Sequence, residues 1–195
     1  MSTITAENIN FRADIEQKTA KQLIWIALMS IFMLFAGLTS AVIVMKPASL
    51  STSFEFPTLF LINTIVILLS SLAFHMGLIA VKKDQLNYSK MAFISTLLLG
   101  VVFGFLQYKA WQELVANGVF LSGGGALDSF FYVLTGLHLA HMIGGIISLI
   151  VIVIKSVREK YNSKNYLRIE VSITYWHFLT ALWIYLFFFL KFIAQ

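Results

Sequence analysis

The chain has 195 residues, of which 59% are hydrophobic and 12% are charged, and its mean hydropathy is +0.85. This balance excludes a soluble domain, and the lack of cysteine excludes disulfides, thiolate metal sites and iron–sulfur clusters built from this chain. The net charge of +5 does not indicate nucleic-acid binding, because the basic residues are scattered between apolar runs and are better explained as loop residues beside anionic lipid.

The chain begins with a polar segment, residues 1–22, that carries both charge signs and lacks the pattern of a cleavable signal peptide. We assign it as a cytoplasmic tail, followed by one transmembrane domain, residues 23–195. A bilayer core needs about 20 apolar residues of helix. Five stretches meet this length: 23–44, 58–81, 91–111, 130–154 and 171–193. The predicted fold is an all-α bundle of five transmembrane helices, with the first span acting as the insertion signal.

Positive charges predict the orientation of these spans. Eleven of the fourteen Lys and Arg residues lie in the tail and in the loops after the second and fourth spans. The positive-inside rule therefore places the amino terminus in the cytoplasm and the carboxyl terminus outside. Pro47 and Pro57 fall in the first external loop, so proline interrupts no span. The glycine-rich loop Leu121–Ser129 is predicted to be the second external loop. Neither an internal repeat nor a broken span indicates a transporter.

No Asp, Glu, Lys or Arg lies deep inside the spans, so the few candidate ionisable groups there are histidines, and each is a candidate functional group because an ion in hydrocarbon costs free energy. They are His75 in the second span, His138 and His141 in the fourth, and His177 in the fifth. A pump would need a buried carboxylate relay, and the spans carry none. We expect the neutral polar groups to bond their own backbone or a neighbouring helix. They are Asn63, Thr64, Ser70, Ser71, Ser95, Thr96, Gln107, Ser148 and Thr180.

The spacing of His138 and His141 places both on one face of a helix. They cannot bind one haem together, since axial ligands approach from opposite sides, although His75 or His177 with a fourth-span histidine could supply one haem pair. A metal ion would need a third ligand, and no cysteine or buried carboxylate is near. Neutral hydrogen-bonded histidines, a haem site and a metal site all remain open at this point.

Small residues at four-residue spacing predict close helix packing. The longest such stripe lies in the fourth span, and shorter pairs lie in the first and third spans. The residues are Gly136, Ala140 and Gly144; Gly37 with Ala41; and Gly100 with Gly104.

Several motifs resemble one family, subunit III of the haem-copper terminal oxidases, across nearly the whole chain. TGLHLAHMIGG resembles the family's TG-aromatic-H-x-x-H-x-x-x-G segment, and EVSITYWHFLTALWIYLF resembles its E-x6-H stretch around YWHF. Weaker resemblances lie upstream, in SIFMLFAGL, in INT followed by LLSS, and in LLLGVVFGFLQ. The positions that match the two strong motifs are Thr135, Gly136, His138, His141, Gly145, Glu170, Tyr175, Trp176, His177, Phe178 and Trp183.

The resemblance implies a five-helix bacterial subunit of the inner membrane that carries no catalytic centre and no cofactor of its own. Haem and copper are then expected in partner subunits I and II. The implied role is to stabilise subunit I of a cytochrome c oxidase that couples O2 reduction to proton translocation, and to bind phospholipid. The resemblance assigns lipid contact to His141 and Lys155. His138, His177, Glu170 and Trp176 are further candidate lipid or packing residues.

Three departures from the family pattern stand out, because Ile31, Ala110 and Thr180 replace carboxylates that the family usually carries. They weaken the expectation of a proton-related role and leave the packing role untouched. Two alternatives stay open: a haem b membrane anchor of a dehydrogenase, and a subunit III relative attached to a nitric oxide reductase or quinol oxidase. The electron donor, the bound lipids and any larger respiratory assembly leave no trace in the sequence.

Overall fold

The chain is described here from a computed structural model that covers residues 2–45, 58–121, 125–158 and 166–194. Within these residues the regular structure is entirely helical. The helices are α1 Ser2–Met45, α2 Thr58–Lys82, α3 Leu86–Ala116, α4 Ala126–Val157 and α5 Leu167–Ala194. Each contains a segment long and apolar enough to cross a membrane, so the predicted all-α fold with five spans is confirmed.

The helices extend beyond the predicted spans at several ends. Helix α1 begins at Ser2, so the polar tail continues the same helix, and its apolar segment runs Lys18–Met45. Helix α4 begins at Ala126, so the second predicted external loop is shorter than Leu121–Ser129. Residues 122–124 of that loop, and the loop that contains both prolines, lie outside the described residues.

Two helices end in the same backbone motif. After α3, Gly118 has φ +82°, and the amides of Gly118 and Val119 donate to the carbonyls of Val115 and Leu114 at 3.1 and 3.0 Å. After α2, Asp84 has φ +54°, and the same pattern joins the amides of Asp84 and Gln85 to carbonyls of the last turn. Left-handed residues at this position close a Schellman motif, which satisfies carbonyls that a helix end leaves unpaired.

Helices α2, α3, α4 and α5 pack in a ring in which each contacts the next, and α1 packs on α4 and α5. The largest fully buried side chains are aromatic: Trp176, Trp183, Phe35, Phe60, Phe74, Phe93 and Phe103. Many large apolar side chains face outwards instead, as expected for helices that contact lipid. The polar groups of the spans are therefore concentrated between the helices.

Candidate functional site

The four histidines occupy three separate environments. His138 lies in the interior of the ring, His141 lies between α4 and α1, and His75 pairs with His177 on the outer side of α2 and α5. Among the described residues, no hydrogen bond or ring contact joins His75 or His177 to a histidine of α4. The haem pair that sequence spacing left open is therefore not assembled.

His138 is completely buried against aromatic rings. Its imidazole centroid lies 5.0 Å from that of Trp183 and 6.0 Å from that of Phe103, with an edge-to-face arrangement at the latter. Neither of its ring nitrogens has a hydrogen-bond partner among the described residues. Since an ion cannot be stabilised in such surroundings, His138 acts as a neutral packing residue between α3, α4 and α5.

His141 is tied to its own helix and to α5. Its Nδ1–H donates to the carbonyl of Leu137 at 2.7 Å, and the hydroxyl of Tyr175 donates to its backbone carbonyl at 3.0 Å. Its ring also lies 5.8 Å from that of Phe35 on α1. With Nδ1 donating, Nε2 is the nitrogen left to accept a hydrogen bond. Lys155, in the last turn of α4, is about 21 Å farther along that helix.

His177 and His75 form the end of a polar row that starts inside the bundle. The hydroxyl of Ser71 lies 2.5 Å from Nδ1 of His177, and Nε2 of His177 lies 3.4 Å from Nδ1 of His75. Ser71 is buried, His177 is half-buried and His75 is exposed. Sequence reasoning missed this row, because spacing along two separate helices carries no signal of their register.

Glu170 joins three helices at one end of the bundle. Its two carboxylate oxygens lie 3.2 Å from Nζ of Lys21 on α1 and 3.1 Å from Nζ of Lys82 on α2. The Lys82 ammonium also lies 5.0 Å from the ring centre of Tyr166. The sequence singled out Glu170 through its motif, and its partners became visible only in the fold. This cluster of four residues is called the ion cluster below.

Trp176 separates and aligns α3, α4 and α5. A Cβ atom built on Gly100 would lie 2.9 Å from Cη2 of the indole, and one built on Gly145 would lie 3.2 Å from two other indole atoms. The predicted close packing at Gly37 and Gly136 is not found, since a Cβ at either position meets no atom within 4 Å. The close approaches are set by a large side chain against glycine, which a search for small residues alone does not reveal.

Most of the neutral polar groups of the spans bond as expected, whereas Ser95 is exposed and has no hydrogen-bond partner among the described residues. Asn63 donates to Gln107 at 3.0 Å between α2 and α3, and Trp183 donates to Thr64 at 3.1 Å between α5 and α2. Others bond their own backbone, including Thr180 to the carbonyl of Trp176 at 2.9 Å. Such bonds are favoured in a membrane because hydrocarbon offers no competing partner. Further interhelical pairs are Trp111 with Thr135, Ser148 with Ser172, and Tyr185 with Thr39.

The described residues contain no group of three or more His, Cys, Asp or Glu side chains that could hold a metal ion. The three residues that stand where the family usually has carboxylates are packed in the bundle or bonded to their own helix. Ala110 is fully buried, Ile31 packs against the core and Thr180 is bonded to its own helix. The arrangement is that of a packed, hydrogen-bonded bundle, and among its described polar groups the ion cluster and the His75–His177 pair reach the outer surface.

Comparison with known proteins decides the family. The protein-family model described as cytochrome c oxidase subunit III matches residues 23–195. The chain belongs to the cytochrome c oxidase subunit III family. The resemblance found in the histidine and YWHF motifs is thereby confirmed. Members of this family are subunits of haem-copper oxidases, so the chain is a multi-pass component of a hetero-oligomeric membrane complex.

Similar chains come from oxidases of differently named classes. A probable quinol oxidase subunit 3 of Staphylococcus saprophyticus is 31% identical over 84% of this chain and 83% of its own length. A probable cytochrome c oxidase subunit 3 of Nocardia farcinica is 30% identical, with 85% and 82% covered. The cytochrome c oxidase subunit 3 of Thermostichus vulcanus is 29% identical, with 82% and 80% covered. The similarity thus covers more than four-fifths of this chain and at least four-fifths of each of these relatives.

Proposed function

We propose that this chain is the non-catalytic subunit III of a bacterial terminal oxidase that reduces O2 to water and translocates protons. Haem and copper are held by partner subunits I and II. The observation that carries the proposal is the packing and hydrogen bonding of the two histidines of α4. His138 packs between aromatic rings and His141 bonds its own helix, so neither is arranged as an axial or metal ligand.

The role within the oxidase is to stabilise subunit I by presenting a rigid membrane surface. Support comes from the hydrogen bonds and ring contacts that join the helices and fix their register. The Lys and Arg residues of the tail and of the loops after the second and fourth spans support a cytoplasmic amino terminus, and a respiratory oxidase of this form belongs to the bacterial inner membrane.

Phospholipid binding is the second part of the role. A cleft of about 440 Å³ opens between α1, α4 and α5, and it is lined by apolar side chains together with Ser148, Ser172 and Arg168. A second, apolar cleft of about 360 Å³ lies between α1 and α5, and Phe32, Phe178 and Tyr185 contribute to it. A guanidinium beside an apolar cleft suits a phosphate headgroup with its acyl chain. Lys155 supplies a further cation at the end of α4.

Affinity purification of the tagged chain from detergent-solubilised membranes tests the proposal. We expect the larger oxidase subunits to copurify, identified by mass spectrometry, together with the haem spectrum of a haem-copper oxidase and O2 consumption. Assays with reduced cytochrome c and with quinol then identify the electron donor. A chain that purifies alone with a stoichiometric b-type Soret band would instead establish the haem anchor.

A further inference from the structure

The surface of α2 and α5 carries an imidazole that the bundle itself does not satisfy. Ser71, His177 and His75 form one row, and His75 is its exposed end. The two ring nitrogens between the histidines face each other at 3.4 Å, so Nε2 of His75 is the atom left over. Within the part of the chain that the structure describes, nothing bonds to that nitrogen.

With both rings neutral, the hydrogen bond between His177 and His75 can run in either direction, and Nε2 of His75 is a donor or an acceptor in each case. If Nε2–H of His177 donates to Nδ1 of His75, then Nε2 of His75 carries a proton and is a donor. If the direction is reversed, Nε2 of His75 is a bare acceptor. A group that can both donate and accept, such as a hydroxyl or a side-chain amide, matches both arrangements.

The depth of the pair excludes water and lipid headgroups as ordinary partners. His75 precedes Lys82 by seven residues on α2, and His177 follows Glu170 by seven residues on α5, so the pair lies about 10 Å from the ion cluster. The ion cluster marks the polar boundary, which places the imidazoles beside acyl chains. Leu72, one turn away on α2, is 62% exposed and is typical of a hydrocarbon-facing surface. An unsatisfied imidazole at this depth is unfavourable.

We propose that the His75–His177 pair is a docking point for a transmembrane helix of another oxidase subunit, which presents a hydroxyl or amide side chain to Nε2 of His75. The inference rests on the proposed function and adds the contact surface and the chemistry of the partner. A protein helix fits better than a lipid, since lipid phosphates and esters lie at the level of the ion cluster, while helices carry polar side chains at any depth.

Photo-crosslinking tests the surface while both histidines remain intact. The photoreactive amino acid p-benzoylphenylalanine replaces Leu72 in the full chain, expressed with its oxidase partners. The matched control replaces Leu98 on α3, which is 61% exposed at a similar distance from the same end of the bundle. We expect an adduct between this chain and another oxidase subunit at position 72, and at position 98 mainly lipid adducts. Adducts with lipid alone at position 72 would overturn the docking proposal.

Loss and rescue of the hydrogen bond test the chemistry. In His75→Leu we expect the recovery of the chain with a tagged partner subunit, after a fixed detergent challenge, to fall by about three- to ten-fold, the range of one interhelical hydrogen bond in a membrane. His75→Gln should restore part of it, and the unassembled His75→Leu chain, which loses only the 3.4 Å contact to His177, should remain folded in thermal denaturation. Equal recovery of His75→Leu and the natural chain would overturn the proposal. If the natural chain itself does not copurify with oxidase subunits, the proposed function fails as well.

Discussion

Trp176 illustrates how much of the bundle depends on single side chains. It is 1% exposed and fills the space that Gly100 and Gly145 leave between α3, α4 and α5. The YWHF motif pointed to this tryptophan from the sequence. Of the predicted small-residue positions, Gly100 does contact this tryptophan, whereas Gly136 of the longer stripe has no close neighbour. Small residues indicate where helices can approach, and the residue that fills the gap depends on the register of the helices.

Substitution at Gly100 tests this contact. In Gly100→Ala the new Cβ would lie 2.9 Å from the indole of Trp176, which is buried on all sides and cannot turn away cheaply. We expect a loss of about 1–3 kcal/mol in the free energy of unfolding, the range for overpacking. The measurement is denaturation of the detergent-solubilised chain by SDS titration.

The matched control is Gly136→Ala, where the added Cβ meets nothing within 4 Å. It should unfold at the same SDS fraction as the natural chain or a higher one, because alanine favours helix over glycine. Equal stability of the two variants would show that Trp176 does not set the spacing of the helices.

At the scale of the helices, contacts between buried amides and between surface charges hold elements together that lie far apart in the sequence. The pairing of Asn63 with Gln107 joins α2 to α3, and the ion cluster joins α1, α2 and α5. The presence of polar residues in the spans was predictable from the sequence. Their partners were not, since a one-residue change in register would pair different groups.

Variants of Asn63 and Gln107 measure the first of these contacts. Asn63→Leu leaves the Gln107 amide buried without its donor, so we expect a loss of about 1–3 kcal/mol in the free energy of unfolding. Gln107→Met should cost a similar amount. The double variant should lose less than the sum, because two apolar side chains leave no unpaired amide. Strict additivity in SDS titration would mean that the two amides do not interact.

Removal of the charge at Glu170 measures the second contact. In Glu170→Gln two ammonium groups remain near each other without the carboxylate between them. The lysine side chains are about half exposed, so we expect destabilisation of about 1 kcal/mol or less, and it should shrink as salt screens the repulsion. Thermal denaturation at low and high salt measures this difference.

Lys83→Met is a suitable control, because it removes a positive charge from the turn after α2 outside the ion cluster. It should change the melting temperature little at either salt concentration. A salt-independent loss in Glu170→Gln would point to packing and not to charge.

For the whole molecule, hydropathy and length were sufficient to predict the fold class, since each helix must cross the hydrocarbon and bond its own backbone. Helix ends were less predictable, because polar residues such as those of the tail can continue a helix beyond its apolar segment. The family motifs identified the relatives correctly. The orientation of the termini and the lipid contacts of His141 and Lys155 stay predictions. The His75–His177 pair could not be foreseen, because it depends on how two separate helices are rotated against each other.

The position of Trp176 also bears on how the subunit is made. Its indole fills space between two helices that precede α5, and α5 is the final one of the five to emerge from the ribosome. Before α5 is synthesised, the space beside Gly100 and Gly145 has no indole to fill it. A chain interrupted before residue 167 lacks this indole, so we expect its remaining helices to pack poorly and the chain to be degraded by membrane proteases.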